Sequence, residues 1–507
     1  MSTTSSFASR FLDRVERAGN RLPHPTTLFV FLSLFIIAVS WLAATLSVSA
    51  VHPVSGDNIE VFSLVSGEGL RKILTHMVTN FTGFAPLGTV LVAMLGIGIA
   101  EYSGLISTLL RQLVLSAPPR LLTFFVVFAG ILSSLAADAG YVVLIPLAGL
   151  VFISANRHPI AGITAAFAGV AGGFSANLMI GPVDAILSGI STEAIALVNP
   201  AYEVNAASNL YFIIASSFYI AIIGAWITEK LVEPRLGQYQ DSDGQEVSSL
   251  THGEYRGLRF AGITALILGV LILLCTYPDD AILRNAETGS ILKSPFMSGV
   301  VTIIAFFIGL CGLAYGLGSG TIKNDHDVIK SMEVSMATMA SYLVLMFFAA
   351  QFVNYFAWTN LGLISAISGS EWLKTLQIGP VALITIFILF SASINLVIGS
   401  ASAKWSIMAP IFVPMFYLLG ISPEVTQAAY RVGDSSTNII TPLMPYFAIV
   451  VAFVAKYDSK AGIGTIIAAM LPYSIIFLIS WTALFGIWIS LDIPLGPGGS
   501  TFVTPAL

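Results

Sequence analysis

The stretch Gly433-Asp434-Ser435-Ser436-Thr437-Asn438-Ile439-Ile440-Thr441-Pro442 is a polar island inside a long apolar region. Glycine and proline interrupt helices, and serine and asparagine can satisfy the backbone groups that an interruption frees. The stretch therefore reads as a break midway along a membrane-crossing helix. A second such island lies earlier in the chain, at Gly173-Phe174-Ser175-Ala176-Asn177-Leu178-Met179-Ile180-Gly181-Pro182. Non-helical backbone at membrane depth is tolerated only where protein buries it or where it lines a water-filled cavity.

Two apolar pieces precede each break. Residues 120–132 and 141–156 flank the small-residue patch 133–140, which contains Asp138. Residues 380–394 and 405–419 flank Asn395-Leu396-Val397-Ile398-Gly399-Ser400-Ala401-Ser402-Ala403-Lys404. Each piece is shorter than the roughly 20 residues a helix needs to cross a bilayer. The spacing predicts two re-entrant helical hairpins.

The two regions also match each other. Gly104-Leu105-Ile106-Ser107 recurs as Gly362-Leu363-Ile364-Ser365. Pro146 and Pro159 are 13 apart, as are Pro410 and Pro423. Ser175-x-Asn177 followed by Pro182 recurs as Ser436-x-Asn438 followed by Pro442. Apolar sequences resemble one another by chance, but these matches share one order and offsets of 258–264. An internal repeat is the better reading.

The rest of the chain agrees with a membrane protein. Lys+Arg is 22 and Asp+Glu 27, so 49 of 507 residues are charged, and 56% are hydrophobic. A soluble domain carries roughly 25% charge. Composition excludes collagen, coiled coil and disorder, and Cys275 and Cys311 support neither a disulfide framework nor a cysteine metal site. Residues 1–25 read as a short basic amphipathic helix on the cytoplasmic membrane face, not a signal peptide. A retained first span follows over 26–48, with further spans near 80–102, 208–229, 258–276, 295–317, 335–357 and 465–491. Adding the two broken helices gives nine spans and two hairpins.

With the N-terminus inside, the cytoplasmic cations are Arg10, Arg14, Arg17, Arg21, Arg111, Arg120, Arg157, Lys230, Arg235, Arg256, Arg259, Lys323, Lys330, Lys456 and Lys460. The outer side holds Arg71, Lys72, Arg284, Lys293 and Lys374. That is 15 against 5, which supports the topology. From 80–102 to 335–357 the chain crosses an odd number of times, so the copies are inverted. The expected fold is an all-α polytopic membrane protein with an inverted repeat and two discontinuous helices. Its expected parts are 1–79 (surface helix, first span and outer loop), 80–233 (repeat 1), 234–334 (loop and two scaffold spans), 335–491 (repeat 2) and 492–507 (tail). Inverted repeats with paired broken helices are the signature of secondary transporters, whose site lies at the midplane. No GxxxxGK[ST] appears, so direct driving by ATP is not expected.

Three segments carry a more specific likeness. They are Gly172-Gly173-Phe174-Ser175-Ala176-Asn177-Leu178, Ser402-Ala403-Lys404-Trp405-Ser406-Ile407-Met408-Ala409-Pro410 and Tyr430-Arg431-Val432-Gly433-Asp434-Ser435-Ser436-Thr437-Asn438. The chain resembles the p-aminobenzoyl-glutamate transporter (AbgT) family over nearly its whole length. The resemblance implies nine spans, two hairpins and a homodimer in the bacterial inner membrane. It implies uptake of p-aminobenzoyl-glutamate in some members, and efflux of p-aminobenzoate and sulfonamide antimetabolites in others. By that likeness Asp184, Trp405, Pro423 and Arg431 fall on the substrate route, and Asn395 and Asp434 on positions associated with Na⁺.

The residues themselves allow alternatives. Arg431, at membrane depth, could hold a substrate carboxylate in two parallel bonds, or pair internally with Asp434 or Asp184. Asp184 could carry a proton or meet a substrate amine, or simply cap a half-helix. Trp405 could stack on a substrate ring or only pack within the hairpin. Lys404 could attract anions or pair with an acid. Asn395, Asp434, Ser436 and Asn438 offer oxygens for Na⁺, with Ser175 and Asn177 in a similar role in the first copy; all could instead serve the helix breaks.

The leading expectation is an ion-coupled exporter of aromatic carboxylates, driven by Na⁺ or H⁺, with membrane lipid as surroundings and no nucleic-acid partner. The alternative is import of p-aminobenzoyl-glutamate or another dicarboxylate. A glutamate conjugate needs more cationic partners than Lys404 and Arg431 supply, which favours a monocarboxylate. A channel is disfavoured by the paired hairpin tips. Hydrolysis is disfavoured because neither HExxH nor GxSxG occurs.

Overall fold

The computed structural model describes residues 25–51, 58–135, 140–237, 239, 249–291, 294–441, 444, 446–458 and 461–504. The expected N-terminal surface helix, Asp138, Lys293, Pro442 and Lys460 lie outside them.

The chain opens with α1 (Pro25–Thr45) and a short antiparallel ribbon, β1 (Ser49–Val51) on β2 (Asn58–Glu60), the one departure from an all-helical fold among the described residues. Then follow α2 (Gly67–Thr82), α3 (Ala85–Tyr102) and α4 (Leu105–Leu115). The first hairpin is α5 (Leu122–Leu132) and α6 (Ile145–Ser154). The first broken helix is α7 (Pro159–Phe167), prolonged by a wide turn over Ala168–Gly172, and α8 (Pro182–Ile195). Helices α9 (Leu210–Ile227), α10 (His252–Thr276) and α11 (Val300–Ser319) lead to the second half. There α12 (Asp325–Thr338), α13 (Ala340–Trp358) and α14 (Leu361–Thr375) precede the second hairpin, α15 (Pro380–Asn395) and α16 (Ala401–Tyr417). The second broken helix is α17 (Pro423–Asn438) and α18 (Phe447–Ala455), and α19 (Ile463–Ser490) closes the fold.

Among the described residues seven helices, counting α2–α3 as one and α9 with its extension to Leu236, are long and apolar enough to cross a membrane alone. The two broken helices raise this to nine. The chain turns by 112° between α4 and the first hairpin arm, so these do not form a straight span. α10 shows why such a chain needs lipid: Leu266, Ile267 and Leu274 are each more than 60% exposed, an apolar face that water would not tolerate. Four helices outside the apolar spans, α2, α4, α12 and α14, were not anticipated. α2 and α12 carry too many polar residues to register as apolar runs.

The repeat is confirmed, with one change of register. α4 starts after Gly104 at φ 89° and α14 after Asn360 at φ 59°. What recurs is a left-handed residue that turns the chain between helices, a place only glycine or asparagine fills readily. The helix starts thus differ by 256, whereas the matched Gly-Leu-Ile-Ser tetrapeptides differ by 258, so that match is two residues out of register. Other matches hold. Pro159 and Pro423, 264 apart, each begin a helix. Gly169 and Gly433, also 264 apart, each sit where a side chain would overlap a carbonyl on the facing hairpin arm, Val127 in one repeat and Ile388 in the other.

The second break also differs from expectation. α17 stays helical through Asn438, so the interruption begins at Ile439 rather than Gly433. The hydroxyls bond within that helix. Ser436 Oγ donates to the Val432 carbonyl at 2.7 Å and Thr437 Oγ1 to Gly433 at 3.0 Å. Polar side chains that looked like compensation for a break are satisfied by their own helix.

Candidate functional site

Every residue of α17 is buried, including Glu424, Gln427, Arg431 and Asp434. A wholly buried polar helix must find its partners in the surrounding protein, and here three groups of contacts meet it.

The first joins the two repeats. Arg431 Nη1 donates to Asp184 Oδ1 at 2.6 Å, and Nη2 donates to the Ser175 carbonyl at 3.1 Å. Both side chains of the ion pair are about 5% exposed or less. Asp184 also accepts the Gly181 amide at 2.7 Å, capping α8. The ion-pairing and capping alternatives for these residues are therefore both realised. Arg431 Nε has no hydrogen-bond partner, a buried donor left open. The Ser175 amide donates to Ser435 Oγ at 3.1 Å, tying the first break to α17.

The second group lies between the second hairpin tip and α17. Lys404 Nζ forms an ion pair with Asp434 Oδ1 and donates to Asn395 Oδ1. The side chains of Lys404 and Asp434 are 0% and 2% exposed. Asn395 Nδ2 donates to the Asp434 carbonyl at 2.6 Å and to Asn438 Oδ1 at 2.8 Å. Of the oxygens considered for Na⁺, those of Asn395, Asp434 and Asn438 are brought together, with an ammonium on the first two, while Ser436 bonds within its own helix. Among the described residues no group of three or more His, Cys, Asp or Glu could hold a metal ion.

The third group surrounds Trp405. Its ring is stacked on Tyr430 with centroids 4.6 Å apart. Its Nε1 donates to Ser191 Oγ at 3.0 Å and to the Leu187 carbonyl at 3.2 Å. Ser191 donates to Gln427 Oε1 at 2.7 Å, and Gln427 Nε2 to Asn209 Oδ1 at 2.9 Å. Glu424, next to Pro423 in the first turn of α17, accepts the Tyr202 hydroxyl on both carboxylate oxygens, at 2.9 and 3.1 Å. Sequence reasoning missed Gln427, Asn209, Glu424 and Tyr430. A pattern of polar residues on every face of α17 was the available signal.

Asn177 stands apart from these groups. Its Nδ2 donates to Ser134 at the first hairpin tip, 3.0 Å away. It also lines an apolar cavity of about 570 Å³ bounded by α4, α5, α10 and α11. Asp184, Trp405 and Arg431 do not line that cavity. The three side chains are buried, and a carboxylate arriving at the Arg431 Nη1 position would meet Asp184 already there.

Apart from Asp184, the buried charges of the site lie in the second repeat. At the offset of 264, Lys404, Arg431 and Asp434 correspond to Gly140, Phe167 and Val170. The backbone repeats; the chemistry does not.

Known proteins share this fold. The sequence profile of the AbgT putative transporter family matches residues 10–503. The p-aminobenzoyl-glutamate transport protein of Escherichia coli (strain K12) is 38% identical over 495 residues, 98% of this chain and 97% of that protein. The crystal structure of the YdaH transporter of Alcanivorax borkumensis, described as having an unusual topology, superposes with a TM-score of 0.90 at 53% identity, covering 94% of this chain and all of that one. MtrF of Neisseria gonorrhoeae, described as illuminating a class of antimetabolite efflux pumps, superposes with a TM-score of 0.91 at 49% identity, covering 94% and 97%. The chain belongs to the AbgT family and is a multi-pass membrane transporter, not an enzyme.

Proposed function

We propose that the protein is an ion-coupled secondary transporter that exports aromatic monocarboxylates and related antimetabolites, p-aminobenzoate and sulfonamides, across the bacterial inner membrane. The observation that carries this reading is Arg431: a buried guanidinium with one open N–H, held by a carboxylate that a substrate carboxylate can replace. Exchange of one carboxylate for another keeps the buried charge paired, which avoids the large cost of an isolated ion. Trp405 and Tyr430, buried and stacked on each other, are the aromatic pair that would have to part to take the aromatic group of a substrate. Pro423, Ser175, Asn177 and Asn438 complete the proposed substrate route.

A dicarboxylate such as p-aminobenzoyl-glutamate is the second reading, favoured by the name of the Escherichia coli relative. Both buried cations are paired, Lys404 with Asp434 and Arg431 with Asp184, but among the described residues Arg431 alone of the two keeps an open donor, at Nε. That supports one carboxylate over two. The cytoplasmic N-terminus follows from the bias of basic residues, and a homodimer from the family resemblance.

Flux of labelled p-aminobenzoate in proteoliposomes tests the proposal. Uphill movement is expected under an imposed proton or Na⁺ gradient, and should disappear in Arg431→Ala and Asp184→Ala. Absence of uphill movement under both gradients would overturn it. Preferential flux of p-aminobenzoyl-glutamate would favour the second reading.

A further inference from the structure

We propose that the apolar cavity between α4, α5, α10 and α11 seats one acyl chain of an anionic phospholipid, with the Arg259 guanidinium at its headgroup.

The lining suits hydrocarbon. The cavity measures about 570 Å³, within the roughly 300–1,000 Å³ of small-molecule sites. Leu109 of α4, Leu132 of α5, Leu258, Gly262 and Ala265 of α10 and Phe307 of α11 line it. Of the lining side chains among the described residues only Asn177 carries nitrogen or oxygen, and both ends of its amide are engaged. Nδ2 donates to Ser134 at 3.0 Å, and Oδ1 accepts the Leu178 amide at 2.8 Å. An ordered water needs several polar partners, which this lining does not supply. A methyl group placed on Gly262 would meet nothing within 4 Å, so the space reaches the backbone of α10. Leu178 of the first break lines the cavity and is still 38% exposed, an apolar side chain that an acyl chain would cover.

Position and charge select the occupant. The rim belongs to the lipid-facing surface: Leu109 is half exposed, and Ile263 and Leu266, next to lining residues of α10, are exposed. The acyl chains of the bilayer are therefore the apolar ligand at hand. From Leu258 to Ala265 the lining follows α10 for about 10 Å, starting at the helix end that carries Arg256 and Arg259. The excess of basic residues assigns this end to the cytoplasmic leaflet, whose anionic lipids bind basic pockets between helices. Its other arginines are already held. Arg256 Nε donates to the Gly318 carbonyl at 2.5 Å, and Arg111 pairs with Glu254 at 2.8 Å. Arg259, the neighbour of Leu258, is exposed and has no acid partner among the described residues. A guanidinium fork matches a phosphate in two parallel bonds. A neutral lipid, or a second copy of the chain laid over the cavity, would bring Arg259 no such anion.

This site is independent of what the protein transports, so the test omits substrate. The purified full-length protein is mixed with equal amounts of phosphatidylglycerol and phosphatidylcholine carrying the same acyl chains, and the lipid that survives washing is counted by native mass spectrometry. Wild type should keep one phosphatidylglycerol per chain, preferred about fivefold over phosphatidylcholine, the worth of one basic residue at an anionic headgroup. Gly262→Phe and Ala265→Phe fill the cavity and should each lose the retained phosphatidylglycerol at unchanged lipid-free unfolding temperature. Arg259→Gln should keep the two lipids equally. Equal retention of the two lipids by wild type, or retention of neither, overturns the inference whether or not the variants fold. So does phosphatidylglycerol held by both filled variants as tightly as by wild type.

Discussion

Arg431 Nη1 lies 2.6 Å from Asp184 Oδ1, and this contact joins the two inverted repeats across 247 residues of sequence. Asp184 caps the second half of the first broken helix, while Arg431 belongs to the first half of the second one. One ion pair therefore sets the relative position of two interrupted helices. A ligand that takes Arg431 from Asp184 also loosens a contact between repeats, which is how binding could be coupled to movement.

Removing one partner should cost more than removing both. Arg431→Ala leaves Asp184 buried and unpaired, an effect of about 3–5 kcal/mol. The double variant Arg431→Ala with Asp184→Ala should recover much of that stability and none of the transport. Thermal unfolding in detergent and flux in proteoliposomes separate the two. If the double variant is as unstable as the single one, the pair is not what holds these helices together.

Trp405 tests whether its ring does more than pack. Trp405→Phe keeps an aromatic face against Tyr430 but gives up the Nε1 bonds to Ser191 and the Leu187 carbonyl, about 1 kcal/mol of stability. Transport should persist with modest loss. Trp405→Ala should abolish binding of p-aminobenzoate, measured by ligand-dependent thermal shift or tryptophan-free fluorescence. Equal substrate affinity in Trp405→Ala and wild type would remove Trp405 from the substrate site.

Glu424 is buried, and its side-chain donors are hydroxyls, those of Tyr202 and Ser422. Its two carboxylate oxygens accept Tyr202, and no ion pair to it is present among the described residues. Glu424→Gln preserves an acceptor for Tyr202 and should leave unfolding temperature nearly unchanged. Glu424→Ala strands the Tyr202 hydroxyl and should cost about 1–3 kcal/mol. A large loss in Glu424→Gln would mean that the charge, not the hydrogen bond, matters at this position.

The fold was legible because its determinants are local. Apolar run lengths set the spans, and Pro159 and Pro423 mark helix starts that nothing else in the sequence explains so simply. The site was legible as residues but not as pairs. Arg431 could be placed at depth, yet either Asp434 or Asp184 could have been its partner, and only the crossing of α17 with α8 decides. Lys404 carried no sequence signal for Asp434, since they are 30 residues apart on separate elements. The second break was misplaced because Ser436 and Thr437 can bond either freed backbone or their own helix, and residue type does not distinguish these. The polar-rich helices α2 and α12 escape a search for apolar runs.

Gly169 and Gly433 should respond alike to substitution, although only one is near the charged site. Each lets a broken helix cross its hairpin arm at backbone contact, against the Val127 and Ile388 carbonyls. Small residues permit such close crossings in membrane proteins. A methyl group at either position meets backbone, which cannot rotate away, so Gly169→Ala and Gly433→Ala should each destabilise by about 1–3 kcal/mol. Their consequences for function should differ. Gly433 lies beside Asp434, so pushing α17 off α15 separates Asp434 from Asn395 and Lys404, whereas Gly169 has Val170 as its neighbour. Na⁺-dependent stabilisation should therefore be lost in Gly433→Ala and kept in Gly169→Ala, at matched unfolding temperature. Equal loss in both would mean that packing of the repeats, rather than the Lys404–Asp434 cluster, controls ion binding.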